Sequence, residues 1–81
     1  MYIPCELCGR PSCHIHHVYG GTANRKLSEK YKMTARLCLE CHNRVHSDYQ
    51  ATLALKQRYQ RIFEAEYGSA MFFEVFGRNY L

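Results

Sequence analysis

With 81 residues, of which 47% are hydrophobic, the chain is expected to form one small domain whose core needs an additional cross-link to be stable. Its 11 lysine and arginine residues outnumber 7 acidic ones and give a net charge of +4, which suits a polyanionic partner without requiring one. The longest apolar run, residues 70–73, is far shorter than the ~20 residues of a membrane-spanning helix, so we expect a soluble protein without a membrane partner.

A turn-rich segment over residues 4–12 carries the first of two Cys-x-x-Cys pairs, Cys5 and Cys8. The spacing of this pair and the glycine that follows it are typical of a zinc knuckle, a tight turn that presents two thiolates to one ion. Cys13 has no partner at such a spacing, and we predict that it is a core residue or a free thiol.

An extended segment is predicted over residues 14–19, and a pair of glycines at 20–21 ends it. It contains three of the five histidines, His14, His16 and His17. In a regular strand His14 and His16 share a face and His17 points to the other, unless a bulge or the strand end lets His16 and His17 reach the same side. We predict that His14 is a surface or hydrogen-bonded residue.

The next segment, residues 22–32, is polar and basic, and Ser28 and Glu29 are typical of the start of a helical turn. Residues 34–37 then predict a second short strand. We therefore expect a helical turn, beginning near Ser28, between the two strands.

The second Cys-x-x-Cys pair, Cys38 and Cys41, lies where this strand gives way to a helix predicted from Leu39 to about His46. Backbone N–H groups and the positive dipole end at a helix N-terminus favour thiolates. The four paired cysteines complete a tetrahedral shell with no open position, which predicts a structural zinc ion worth on the order of 10 kcal/mol to folding. The odd cysteine count, the paired spacing and the lack of a secretory signal argue against disulfides and for a reduced, cytoplasmic protein.

A break is predicted at residues 47–48, followed by a longer amphipathic helix that ends at about Tyr67, before Gly68. The side chains on its predicted buried stripe are Leu53, Leu55, Tyr59, Ile62 and Phe63. The final apolar segment, residues 71–77, is too short to fold alone. We expect it to pack back on the same domain rather than on a partner.

The two helical histidines, His42 and His46, are four residues apart and therefore differ by only about 40° around a helix. Both can bind one ion. Cys41 lies about 100° away from His42, so this ion and the zinc need not compete. One histidine of the segment 14–17 can complete a three-histidine site with open positions for water and substrate. A second histidine beside it can accept a proton, since imidazole titrates near neutral pH.

The order of these motifs resembles the HNH endonuclease family. The resemblance is carried by His-His-Val-Tyr-Gly-Gly at residues 16–21 and by Leu-Cys-Leu-Glu-Cys-His-Asn-Arg-Val-His at residues 37–46, and it covers residues 5–48. It implies the ββα-metal fold of that family, here as a small, zinc-stabilised, treble-clef-like α+β domain with C-terminal helices. It also implies an activity, the metal-dependent hydrolysis of phosphodiester bonds in DNA.

The resemblance implies a role for each histidine that matches the family's signature. His16, His42 and His46 match ligands of a catalytic divalent cation, which can be zinc, nickel, manganese, cobalt or magnesium, and His17 matches the general base. The products would carry 5′-phosphate and 3′-hydroxyl ends. The asparagine that the family carries shortly before the Leu-Cys pair has no counterpart in residues 30–36.

DNA is the partner that the resemblance implies, and basic residues near the metal motifs are expected to contact its phosphates. These residues are Arg25, Lys26, Arg36 and Arg44. We assign residues 1–48 to the zinc knuckle and the nuclease core, and residues 49–81 to a helical extension that packs on the same single domain.

Two alternatives remain open. The first is a catalytically weak, zinc-held module that binds nucleic acid or a larger complex. The second is an interaction protein in which zinc is the only metal and the C-terminal aromatic segment forms a homodimer. Without such a contact the protein is expected to be a monomer.

Overall fold

Residues 3–81 are described by a computed structural model, and over this range they form an α+β fold with one two-stranded sheet and four helices. In chain order the elements are β1 (His14–His17), α1 (Thr22–Lys30), β2 (Thr34–Leu37), α2 (Leu39–Ser47), α3 (Tyr49–Tyr67) and α4 (Ser69–Phe76). None of these helices combines the length and the apolar character needed to cross a membrane. The predicted α+β class is confirmed.

The two strands pair in an antiparallel arrangement in which His17 lies opposite Thr34. The second strand has the predicted bounds, whereas the first ends at His17 instead of continuing to Tyr19. Tyr19 leaves the strand because the side-chain hydroxyl of Ser28 accepts from its backbone N–H at 3.3 Å and donates to its carbonyl at 3.1 Å. These two hydrogen bonds connect the segment that follows β1 to α1.

The helix α1 is longer than predicted, since it begins at Thr22 rather than near Ser28. Its N-cap residue, Gly21, has a φ of 94°, a conformation that glycine adopts at little cost. Ser28 is buried within the helix instead of starting it. The prediction of a short turn is wrong because this polar segment has few apolar residues to reveal a helical period, and its helix is stabilised by tertiary contacts.

The break between α2 and α3 falls at Asp48, as predicted. The carboxylate of Asp48 accepts hydrogen bonds from the backbone N–H groups of Gln50 at 2.9 Å and Ala51 at 3.4 Å, and it thereby caps α3. At its other end α3 stops at Tyr67, and Gly68 takes a φ of 91°. The predicted stop is confirmed, because glycine is the residue that tolerates this backbone conformation best.

The buried face of α3 is centred on Leu55, Tyr59 and Phe63, which confirms most of the predicted stripe. Leu53 is only partly buried, and Ile62 is exposed, so the prediction is wrong for Ile62. The buried face differs from the predicted one because the C-terminal residues of the chain cover the side of α3 that carries Gln60 rather than the side that carries Ile62.

That other side of α3 carries Gln60, a polar residue that is nonetheless buried. Its Nε2 donates to Oδ1 of Asn79 at 2.7 Å, and its Oε1 accepts from the backbone N–H of Tyr80 at 2.8 Å. Because both ends of the amide are hydrogen-bonded, Gln60 can be buried at low cost. It anchors the end of the chain on α3.

The C-terminal aromatic segment forms α4 and packs back on α3, as expected. Phe72 is buried against Phe63 and Tyr19, with ring centroids 5.4 and 5.3 Å away, and Phe76 is buried beside it. Phe73 points outward instead. One core therefore spans both predicted parts of the chain, and their division into a nuclease core and an extension stays a prediction. A homodimer through this segment also stays a prediction, and it would have to use Phe73.

Truncation of Phe63 should be strongly destabilising, because this residue packs against several other rings of the core. Its ring is fully buried among Tyr31, Phe72 and Phe76. We expect Phe63→Ala to lower the free energy of unfolding by about 3–5 kcal/mol, because it leaves a cavity as well as losing burial. Phe73 is 61% exposed, and Phe73→Ala is the matched control with an expected loss below about 0.5 kcal/mol. Urea denaturation measures both, and equal losses would contradict the packing.

Candidate metal centres

Four cysteines from two distant parts of the chain meet at one point, and we call them the cysteine cluster (Cys5, Cys8, Cys38 and Cys41). Their sulfur atoms all lie within 4.8 Å of one another, and Sγ of Cys8 is 3.6 Å from Sγ of Cys38. A tetrahedral zinc ion with bonds of about 2.3 Å separates its sulfur ligands by about 3.8 Å. The four predicted thiolates are therefore arranged as a structural metal such as zinc requires. Cys13 is exposed and lies outside the cluster.

Local backbone structure presents both cysteine pairs. The turn that carries the first pair is closed by a bridge between Pro4 and Pro11, and Gly9 takes a φ of 80° within it. The second pair lies at the junction of β2 and α2, where Cys38 is the N-cap residue and its sulfur accepts from the backbone N–H of Cys41 at 3.4 Å. Each pair is thus positioned by a turn or a helix start, as the spacing predicts.

The charge around the cysteine cluster favours ionised sulfur at its exposed side. Arg10 donates from Nε to Sγ of Cys8 at 3.4 Å, and this hydrogen bond lowers the pKa of Cys8 to about 6. Glu40 holds Arg10 in place through an ion pair of 2.7 Å. On the inner side, burial raises the pKa of Cys41 to about 12. A bound cation would reverse that effect, because a metal-bound thiol is deprotonated.

Three histidines form a second group, which we call the histidine cluster (His16, His42 and His46), with ligands from β1 and α2. Their donor atoms lie within 4.8 Å of one another, and the Nε2 atoms of His42 and His46 are 3.1 Å apart. An ion with metal–nitrogen bonds of about 2.1 Å separates adjacent ligands by about 3.0 Å in octahedral and about 3.4 Å in tetrahedral coordination. The observed spacing fits two ligands of one ion.

The protonation states of two members of the histidine cluster also fit a metal. Burial lowers the pKa of His16 to about 4, and the neighbouring His42 and His46 act in the same direction. Burial likewise lowers the pKa of His42. The rings of His16 and His42 are therefore neutral at neutral pH, and the neutral imidazole is the form that binds metal ions.

The histidine cluster opens into a surface cavity of about 290 Å³, which His17 and Arg25 also line. The cysteine cluster does not line this cavity within residues 3–81. A group of three ligands, a further histidine and a guanidinium around an open volume has the components of a hydrolytic metal site. The same volume is large enough to admit a phosphate group.

The remaining histidines make contacts that the sequence did not predict. His14 stacks on His42, with ring centroids 4.7 Å apart and an interplanar angle of 26°. The alternation along β1, which puts His14 on the face of His16, was the available signal for this contact. His17 places its Nε2 2.9 Å from Oε1 of Glu29 in α1. No local pattern pointed to that pair.

The four basic residues predicted to contact DNA do not share one surface. Arg25 lines the cavity, and Lys26 lies beside it in a groove along α1. Arg36 is exposed on the face of the sheet opposite to that of His16. Arg44 lines a separate groove between α2 and α3. Of the four, Arg25 alone lines the cavity of the histidine cluster.

Comparisons with models of protein families, with curated proteins and with solved structures found no match for this chain. Function is therefore inferred from the two clusters and their surroundings. The cysteine cluster suits a structural role, because four thiolates leave no position for a substrate. The histidine cluster is the candidate for chemistry, because it offers three ligands beside a cavity.

Proposed function

We propose that this protein is a metal-dependent endonuclease of the HNH type, which hydrolyses DNA phosphodiester bonds with a single divalent ion. One observation carries the proposal: the histidine cluster converges beside a cavity that also contains His17 and Arg25, apart from the cysteine cluster. The pair of strands β1 and β2, with α1 inserted between them and α2 after them, lies next to a candidate zinc knuckle and is compatible with the ββα-metal, treble-clef-like fold.

The residues around the cavity can each take a separate role in phosphodiester hydrolysis. A divalent cation held by the histidine cluster would supply Lewis-acid stabilisation of the charge that develops on the phosphate. His17 accepts a proton from the attacking water, and Arg25 donates hydrogen bonds to a phosphate oxygen. Cleavage leaves a 5′-phosphate and a 3′-hydroxyl. Since all three ligands are nitrogen atoms, zinc or nickel suits the site better than magnesium.

DNA is the proposed substrate because positive charge lies beside the cavity. Arg25 and Lys26 line a groove along α1 that adjoins it, and the whole chain carries a net charge of +4. Contacts with neighbouring phosphates give affinity and orientation but little reading of sequence. Arg36 and Arg44 would contact phosphates farther from the site of cleavage. We therefore propose an enzyme with little sequence preference of its own.

Plasmid nicking after metal exchange tests this function. A mild chelator removes ions from the histidine cluster and leaves the cysteine-bound zinc in place, after which magnesium, manganese, cobalt, nickel or zinc is added back. We expect nicking only after an ion is added. His46→Ala should lower the rate by more than about 100-fold, because two remaining imidazoles hold an ion poorly. Asn43→Ala, on another face of the same helix, should cleave like the wild type.

Wild-type cleavage by His46→Ala would refute the assigned ligands. A wild-type protein that shifts DNA in a gel but cuts it with none of the ions would be the nucleic-acid-binding module instead. A protein that neither cuts nor binds would support the interaction protein. Light scattering of the wild type and of Phe73→Ser then measures whether the exposed ring of α4 holds a dimer together.

A further inference from the structure

A hydrogen bond at the rim of the cavity links His17 to Glu29. Nε2 of His17, at the end of β1, lies 2.9 Å from Oε1 of Glu29, in the last turn of α1. The His17 side chain is 15% exposed and that of Glu29 is 68% exposed. Arg25 lies one helical turn before Glu29, yet within residues 3–81 the carboxylate pairs only with His17. The exposed carboxylate of Glu29 therefore has one ion-pair partner within residues 3–81, the largely buried ring of His17.

The backbone around this pair is held by buried hydrogen bonds. The hydroxyl of Ser28 bonds to both backbone groups of Tyr19, at 3.3 and 3.1 Å. The carbonyl of Ser28 accepts from the backbone N–H of Met33 at 2.7 Å. The end of β1, the end of α1 and the approach to β2 therefore form one unit. Glu29 directly follows Ser28 in the chain. The hydrogen bonds of Ser28 therefore position the backbone of Glu29 relative to the end of β1.

The chemistry of the two groups fixes the tautomer of His17. An ionised carboxylate only accepts hydrogen bonds, so the bond to Glu29 requires a proton on Nε2 of His17. The lone pair of the neutral ring then lies on Nδ1, which has no hydrogen-bond partner within residues 3–81. Because His17 lines the cavity, Nδ1 is the nitrogen left to accept a proton from water there.

We propose that Glu29 is a positioning residue for His17, a role that rests on the proposed nuclease function. Its carboxylate fixes the orientation and the Nε2–H tautomer of the ring, and it stabilises the imidazolium that forms when Nδ1 takes a proton from the attacking water. The water oxygen forms a bond to phosphorus while the bond from phosphorus to the 3′ oxygen breaks, and that oxygen takes a proton from solvent. Glu29 acts through His17 and lies outside the histidine cluster.

Two measurements on Glu29→Ala test the proposal. Nitrogen NMR of protein labelled with ¹⁵N-histidine, in the absence of DNA, reports which ring nitrogen of His17 carries the proton. We expect one Nε2–H form in the wild type and a mixture of tautomers in the variant. Steady-state nicking kinetics should show a kcat roughly 10- to 100-fold lower without an increase in KM, the loss typical of groups that orient a functional side chain from outside the site.

Two further variants make the test specific. Glu74→Ala is the matched control, because Glu74 is an exposed helical glutamate without a salt bridge in residues 3–81. It should keep the wild-type tautomer and rate. Glu29→Gln should restore the tautomer and part of the rate, because its amide oxygen can still accept from Nε2–H. If Glu29→Ala does not fold, Glu29→Leu, which keeps a longer side chain but has no acceptor, is measured in the same way with the same expected losses.

The outcomes separate this role from the proposed function. A wild-type tautomer and rate in Glu29→Ala, with active wild-type protein, would overturn the role of Glu29 and leave the nuclease intact. Absence of cleavage by the wild type with every ion would overturn the nuclease and the positioning role together. Loss of rate in Glu29→Ala with an unchanged tautomer would also overturn the positioning role, because the defect would then lie elsewhere.

Discussion

Cys41→Ser is expected to leave most of the protein unfolded at room temperature. Cys41 is buried and belongs to the four thiolates that fit one zinc ion. A structural zinc site contributes on the order of 10 kcal/mol to folding, whereas the whole stability of a domain this small is about 4–12 kcal/mol. Serine has nearly the same size as cysteine, so the loss reports the missing thiolate rather than a cavity. Circular dichroism and zinc analysis by mass spectrometry measure it.

Cys13→Ser is the matched control for this prediction, since Cys13 is exposed and outside the cysteine cluster. It should retain zinc and melt within a few degrees of the wild type. A strong chelator that removes zinc from the wild type should reproduce the effect of Cys41→Ser, and added zinc should reverse it. If Cys41→Ser instead melts like Cys13→Ser, the cysteine cluster does not stabilise the fold through a metal.

Both clusters could be predicted largely from the sequence because their spacings are local. Cys-x-x-Cys places two thiolates on one turn, and a separation of four residues places His42 and His46 on one face of a helix. His16 reaches the two helical histidines because β1 pairs with β2, where Ala35 lies opposite His16. The helix α2, which carries the other two histidines, directly follows β2. That long-range pairing came from the resemblance to a family and not from any spacing.

The helix α1 and its contacts could not be predicted in the same way. It has few apolar residues, and buried Ser28 stabilises it through hydrogen bonds to Tyr19, which follows β1. The contact of Glu29 with His17 joins α1 to β1 across twelve positions of the chain, and no local spacing predicts it. Gln60 is a similar case. Its amide can be buried because Asn79, a residue far along the chain, forms a hydrogen bond with it, and no local spacing predicts that contact. Such contacts are tertiary in origin.

His17→Ala is expected to lower the cleavage rate by about 10²- to 10⁴-fold while both metals and DNA remain bound. His17 lines the cavity but is not a member of the histidine cluster, so the substitution removes the proposed proton acceptor without removing a proposed ligand. Metal analysis, a gel-shift assay and plasmid nicking on one preparation measure the three properties separately. Loss of cleavage alone supports the assigned role, whereas cleavage at the wild-type rate contradicts it.

His14→Ala is the comparison that discriminates between the two histidines on either side of His16 in β1. The ring of His14 stacks on His42 at 4.7 Å and does not line the cavity, so its loss should loosen one ligand and lower the rate by less than about tenfold. Raising the concentration of the divalent ion should restore the cleavage rate of His14→Ala, because more of the weakened sites then hold an ion. The same treatment should not restore the cleavage rate of His17→Ala, since a metal ion does not replace the proposed proton acceptor. If His14→Ala is inactive at saturating ion and His17→Ala is active, His14 rather than His17 is the proton acceptor.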